Sequence, residues 1–272
     1  MPSIYEPYKN LIEKRLTIID KTGTEVPFKL NIAQNYIVAN ATGHDFTLKA
    51  RQEGVSAFML AVFALDFLLR ENSISVIVAD NADNAQGLLE RVKWYIASYE
   101  RALNTKVPLK YDSKYELHNA ARNSKYIIGT AQNVEFGRSR TITNAHLSEA
   151  CFYPHFQKLL ASLLQAVVPD GKVMIESTAN GFNEGKTFWD DTVMGKTGFK
   201  PLFLPASLMY DAEFLGKKRG ELGERLFMQE YPESPEEAFI TSGSTYIENL
   251  ALARLLKEVD AWERTHELQT IS

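Results

Sequence analysis

The stretch Asp45-Phe-Thr-Leu-Lys-Ala-Arg-Gln-Glu-Gly-Val-Ser56, running on into Ala57 to Arg70, decides how this chain is read. Asp45 to Leu48 is a short strand candidate. Ala57 to Arg70 is almost wholly apolar and long enough for a buried helix. Between them lies the octet Lys49 to Ser56. A strand, a turn and a helix in that order are the setting of a phosphate loop, in which backbone N–H groups and a helix N-terminus point at anionic oxygens. Against the pattern Gly-x-x-x-x-Gly-Lys-Ser/Thr, Gly54 holds the sixth place and Ser56 the eighth. Val55 stands where the lysine should be, and Lys49 stands where the first glycine should be. A lysine is a point charge on a long stem, so it can reach β- and γ-phosphates from the other end of the loop. Gly54 lets the backbone curl around phosphates. Ser56 offers Mg²⁺ a hydroxyl, and Arg51 offers a second phosphate contact. The same octet also reads as an ordinary helix start with Lys49 and Arg51 as solvated charges.

Outward from this stretch, strand and helix patterns alternate, which predicts a mostly parallel sheet flanked by helices. Strands are expected at 73–79, 125–130, 141–147, 172–176 and 200–205. Helices are expected at 5–19, 57–70, 84–103 with Asp83 as cap, 153–168, 184–193 and 246–267. The chain has 272 residues, 45% hydrophobic and 24% charged, with a net charge of -4, which excludes a disordered or fibrous protein. No uncharged apolar run of about 18 residues occurs, so no membrane-spanning helix is expected. One cysteine, Cys151, excludes an internal disulfide and a cysteine-based zinc site. The five histidines lack paired-ligand spacing, and Trp94, Trp189 and Trp262 read as core or interface anchors.

Further segments join the octet. Val26-Pro-Phe-Lys-Leu-Asn-Ile-Ala-Gln34 precedes it. Thr141-Ile-Thr-Asn-Ala-His-Leu-Ser-Glu-Ala-Cys-Phe-Tyr-Pro154 is an apolar strand ending in an acid, and Glu176-Ser-Thr-Ala-Asn-Gly181 is a second strand end. Glu230-Tyr-Pro-Glu-Ser-Pro-Glu-Glu-Ala-Phe239 lies before Ser242-Gly243. In order and spacing these resemble the Q motif, deviant Walker A, Walker B, coupling motif and closing stretch of large terminase subunits, the DNA-packaging motors of tailed bacteriophages. The resemblance covers roughly residues 20–245. It implies a P-loop NTPase fold of the ASCE (RecA-like) type with a small helical linker subdomain. The expected organisation is an ATPase domain over 1–243 and the start of the linker over 244–272, with the nuclease domain absent. Asp260, Glu263 and Glu267 read as a solvated helix face, so no nuclease activity is expected.

The resemblance assigns roles residue by residue. Gln34 would read the adenine edge. Lys49, Ala50, Arg51, Gln52, Glu53, Gly54, Val55 and Ser56 would hold the phosphates of ATP. Ser56 would ligate Mg²⁺, with a weak contribution from Ser148, which stands where many such ATPases have an aspartate. Glu149 would polarise the attacking water. Arg138, or Arg140, would be a finger acting in a neighbouring subunit; DNA contact and plain solvation are the alternatives. Ser177, Thr178, Ala179 and Asn180 would sense the phosphate and couple its loss to motion. The implied activity is Mg²⁺-dependent ATP hydrolysis driving double-stranded DNA into a procapsid. The implied partners are a portal protein, a small terminase subunit and further copies in a homo-oligomeric ring, a pentamer in this family, with a monomer away from the portal. The implied location is the host bacterial cytoplasm. Two other classes compete. One is a helicase-like translocase, which needs a second RecA-like domain for which 272 residues leave no room. The other is a degenerate nucleotide-binding scaffold, favoured by Val55 and Ser148.

The charge is uneven. Residues 101–140 carry eight basic side chains and three acidic ones, whereas residues 201–240 carry four basic and eight acidic. A basic stretch ahead of Glu149 suits either DNA or a subunit interface.

Overall fold

Runs of β-branched residues build the centre of an eight-stranded sheet. The structure, a computed structural model, describes residues 3–138 and 140–240 together with Glu258 and Trp262. The chain opens with α1 (Glu6–Arg15), the antiparallel ribbon β1 (Thr17–Ile19) and β2 (Glu25–Pro27), and α2 (Ile32–Asn40). Next come β3 (His44–Lys49), α3 (Val55–Leu69), β4 (Ile74–Ala79) and α4 (Ala82–Leu103). Strands β5 (Leu109–Asp112), β6 (Glu116–Asn119), β7 (Ser124–Thr130) and β8 (Ile142–Ser148) precede α5 (Phe156–Leu164) and β9 (Val167–Ser177). The described part closes with α6 (Glu184–Val193), β10 (Lys200–Leu204), α7 (Ala212–Glu230, broken at Gly223) and α8 (Pro235–Ile240).

The strand order is β10-β3-β9-β8-β4-β7-β6-β5. All pairs from β10 to β7 are parallel, and β7-β6 and β6-β5 are antiparallel. Alternation divides each central strand between two cores. Ile77 faces the layer holding α3 and α4, while Val76 and Val78 face the layer holding α5 and α6. Such two-sided burial explains why these strands are near-continuous apolar runs. Helix α3 is buried along almost its whole length. The decisive topological fact is that β9 lies between β3 and β8, so the carboxyl ends of three strands meet at one edge, where ligands bind in open α/β sheets.

Three expectations are corrected. The helix at 5–19 stops at Arg15, because the β-branched run Thr17-Ile18-Ile19 pairs as a strand with Glu25–Pro27. The helix at 153–168 spans only Phe156–Leu164, because Val167 already pairs with Ile142 in β9. The cap of α4 is Asn81, whose side chain accepts from Asn84 N–H at 2.9 Å, and Asp83 sits inside the first turn. The 244–272 segment, including Asp260, Glu263 and Glu267, lies outside the described residues apart from Glu258 and Trp262, which are helical.

Candidate active site

The loop after β3 is built by two left-handed residues. Ala50 N–H still bonds the Leu204 carbonyl of β10 at 3.2 Å, but Gln52 (φ 60°) and Gly54 (φ 78°) turn the chain back onto α3, whose N-cap is Gly54. Glycine is needed there twice over. Its φ disfavours other residues, and a Cβ would fall 2.8 Å from Gln34 Nε2.

Gln34 is therefore a brace. Asn31 and Gln34 form a capping box at the start of α2, with Asn31 N–H donating to Gln34 Oε1 at 3.0 Å. Gln34 Nε2 then donates to the Gly54 carbonyl at 2.8 Å, and Asn31 Nδ2 donates to the Glu53 carbonyl at 2.9 Å. Gln34 is buried behind the loop, with both ends of its amide engaged by Asn31 and Gly54.

Lys49, at the end of β3, is buried with its Nζ 2.9 Å from Glu149 Oε1 and 3.1 Å from Glu176 Oε2. Burial alone would push its pKa down. The two carboxylates outweigh burial and hold the ammonium firmly charged. Glu149 follows β8 directly, in a left-handed conformation (φ 57°), which swings its side chain back across the sheet edge. Its other oxygen accepts from Thr178 N–H at 3.0 Å and Thr178 Oγ1 at 3.2 Å. Lys49, Glu149 and Thr178 thus form one hydrogen-bonded chain across β3, β8 and the end of β9.

The rest of the 177–180 segment holds this chain in place. Ser177 Oγ accepts from Cys151 N–H, and Asn180 Nδ2 donates to the Cys151 carbonyl. Asn183, the cap of α6, donates to the same carbonyl. Ala179 is fully buried.

Sequence reasoning missed Glu176 as a site residue. It is fully buried, and its Oε1 accepts from both Ser56 Oγ and Ser148 Oγ at 2.7 Å. His146 Nε2 lies 3.4 Å from the same oxygen. Burial would raise this carboxyl's pKa, but Lys49, then His146 and Ser148, overcome burial and hold it well below the usual carboxylate range. The only signal in the sequence is an acid inside an apolar strand.

Around this centre opens a cleft of about 1240 Å³. The loop, Glu149 and Thr178 line it, and so do the apolar Ile18, Ile19 and Trp94, which sequence reasoning also missed. Arg51 reaches the cleft but is paired with Glu230 at 2.8 Å, and its backbone N–H and carbonyl bond Glu230 O and Tyr210 Oη. Glu53 is fully buried under the loop with neither oxygen hydrogen-bonded, and burial pushes its carboxyl up to about 9. Arg138 and Arg140 stand apart from the cleft lining. Arg138 is exposed and paired with Glu135 at 2.9 Å, while Arg140 donates to the Phe136 carbonyl at 2.6 Å and stacks on its ring.

The residues present fit Mg²⁺. No cluster of three His, Cys, Asp or Glu side chains able to hold a metal exists among the described residues. Mg²⁺ keeps waters and phosphate oxygens as ligands and needs few from protein. Ser56 at the start of α3 supplies a hydroxyl. Behind it stands the buried Glu176, whose Oε1 accepts from the Ser56 hydroxyl at 2.7 Å and whose Oε2 faces the Lys49 ammonium at 3.1 Å.

No family model matches the sequence, and no curated protein does. Among solved structures, the chain resembles the ATPase domain of the Thermus phage P74-26 large terminase, with a TM-score of 0.60 and 19% identity over 77% of this chain and 94% of that one. It also resembles the large terminase of bacteriophage HK97, with a TM-score of 0.62 and 16% identity over 97% of this chain and 54% of that one. A third likeness is to the large terminase of a thermophilic bacteriophage in complex with ADP, with a TM-score of 0.53 and 8% identity over 71% and 48%. The chain therefore spans about half the length of the last two proteins. At these identities the likeness is one of fold: this chain has the α/β fold of phage large-terminase ATPase domains.

Proposed function

We propose that this chain is the ATPase motor of a viral terminase, hydrolysing ATP to move double-stranded DNA into a procapsid. The observation that carries the reading is the bonded chain Lys49–Glu149–Thr178 at the mouth of a cleft floored by a phosphate loop. Lys49 does from the start of the loop what the usual lysine does from its end. Without nucleotide its ammonium is held by Glu149 and Glu176; arriving β- and γ-phosphates compete for it and free Glu149. Glu149 then orients and polarises the attacking water, and catalysis is positioning and electrostatics. Thr178 reads the state of Glu149 and passes it through Asn180 and Asn183 to α6. Mg²⁺, when bound with the nucleotide, neutralises charge on the phosphates. The adenine packs against Ile18, Ile19 and Trp94 rather than against Gln34.

The wider roles rest on the fold likeness and on exposure. Arg138 is 67% exposed in its side chain and away from its own cleft, as a group serving a neighbour's site must be. On this reading the chain works in a homo-oligomeric ring, and the proposed partners are a portal, a small terminase subunit and double-stranded DNA in the host bacterial cytoplasm. Among the described residues no helix is long and apolar enough to cross a membrane. The test is ATP hydrolysis by the chain with portal and linear duplex DNA, using mixtures of Arg138→Ala and Glu149→Ala subunits. A ring with a finger in trans predicts that the mixture recovers activity that neither variant has alone. A mixture as inactive as its parts contradicts the finger, and a wild type that never hydrolyses ATP contradicts the motor.

A further inference from the structure

Ser148 leaves a gap in the chemistry of this site. In phosphate-loop enzymes an aspartate at the end of the Walker B strand stands behind the loop hydroxyl and holds Mg²⁺. Here that position is a neutral hydroxyl, and a hydroxyl cannot supply the charge.

The sheet register places a carboxylate beside the gap. Ser148 of β8 and Glu176 of β9 are register partners, and Thr47 of β3 faces Glu176 from the other side. Neighbouring strands are only about 4.8 Å apart, and the Glu176 side chain reaches the loop hydroxyl from the strand beside β8. Ser56 and Ser148 both donate to the same oxygen, Glu176 Oε1, at 2.7 Å. Ser148 thus aims the carboxylate at the loop hydroxyl. Lys49 Nζ lies 3.1 Å from the other oxygen, so this one carboxylate sits between the loop hydroxyl and the loop lysine.

We propose that Glu176 is a positioning residue for Mg²⁺, the metal-side carboxylate transposed from β8 to β9, acting through the Ser56 hydroxyl and metal-bound water. The inference rests on the nucleotide-binding reading above. It also removes Ser148 as an argument for a degenerate site. The competing role for Glu176 is counter-ion to Lys49 alone, and the two roles differ in their dependence on the metal.

The test is ADP binding by calorimetry, in MgCl₂ and in EDTA, with melting curves to establish folding. Wild type is expected to bind at least about tenfold more tightly with Mg²⁺, a difference of about 1.4 kcal/mol. Glu176→Gln is expected to lose most of that ratio while its affinity in EDTA stays within about threefold of wild type, since a metal-linked group acts only when metal is present. The transposed double variant, Ser148→Asp with Glu176→Ser, is expected to regain the ratio. An unchanged Mg²⁺ ratio in Glu176→Gln overturns the inference. So does an equal loss in MgCl₂ and EDTA, which marks a lysine counter-ion. Should Glu176→Gln not fold, a folded double variant decides: a retained ratio supports the transposition and a lost ratio overturns it. A wild type that binds no ADP in either buffer sinks the nucleotide-binding reading and this inference together.

Discussion

At the scale of single residues, the site is shaped by polar groups placed where burial forces each to act on its neighbour. Gln34 is the clearest case. Its amide joins the cap of α2 to the carbonyl of Gly54, so Gln34→Ala should loosen the loop rather than the choice of base. ATP and GTP affinities measured side by side should fall by the same factor, about five- to tenfold for the lost bond to the Gly54 carbonyl. A change in the ratio between them would return Gln34 to reading adenine. Glu53 gives a pH prediction. Its carboxyl is raised in the folded state from the ordinary 4.5 to about 9, so the folded protein holds a proton that the unfolded chain gives up. Stability from this group is complete below about pH 4.5 and is lost as pH climbs towards about 9. Melting temperature should therefore fall across that range, and Glu53→Gln should flatten the fall. Equal slopes in the two proteins would show that Glu53 ionises in the folded state near its ordinary 4.5 and carries no raised pKa.

At the scale of elements, function depends on three strand ends meeting. Thr178, just past β9, touches the acid that follows β8, and a hydrogen bond to a charged group is worth about 1.5–3 kcal/mol. Thr178→Val removes the hydroxyl but keeps the backbone N–H. Hydrolysis should drop about tenfold while ATP binding is retained, read as the turnover rate against the binding constant. Equal turnover would detach Thr178 from the chemistry. The elements that the sequence revealed are those with long apolar runs. The strand–loop–helix at 44–69 and the helix at 184–193 were legible because burial repeats along them. Strand β1 was hidden because its three residues read as the end of the preceding helix, and β5 was hidden because it is mostly exposed and polar. Glu176 could be seen in the sequence, but its role could not. Ser56, His146, Ser148 and Lys49 come to it from other elements, and only the strand order brings them together.

At the scale of the whole molecule, the basic stretch at 101–140 looks different once folded. Arg101 pairs with Glu25, Lys106 with Glu100 and Lys125 with Glu116, so much of the local excess is balanced by nearby acids. The β5–β6 edge keeps Lys110 over the exposed Tyr111 ring, with Lys114 and the exposed Tyr115 in the turn. If this edge rides on DNA, Lys106→Glu, Lys110→Glu and Lys114→Glu together should abolish stimulation of hydrolysis by duplex DNA and lower the salt dependence of binding by about three charges. Unchanged stimulation would assign the edge to another task. The central claim is narrower: a relocated lysine and the acid it touches form a working ATPase centre. It is tested most directly by measuring ATP binding and ATP turnover on the same preparations of wild type and Glu149→Gln, in Mg²⁺ with duplex DNA. Glu149→Gln should bind ATP at least as well as wild type, because Lys49 loses one competitor for the phosphates, while turnover falls at least about a hundredfold. Turnover in Glu149→Gln equal to that of wild type would contradict the account.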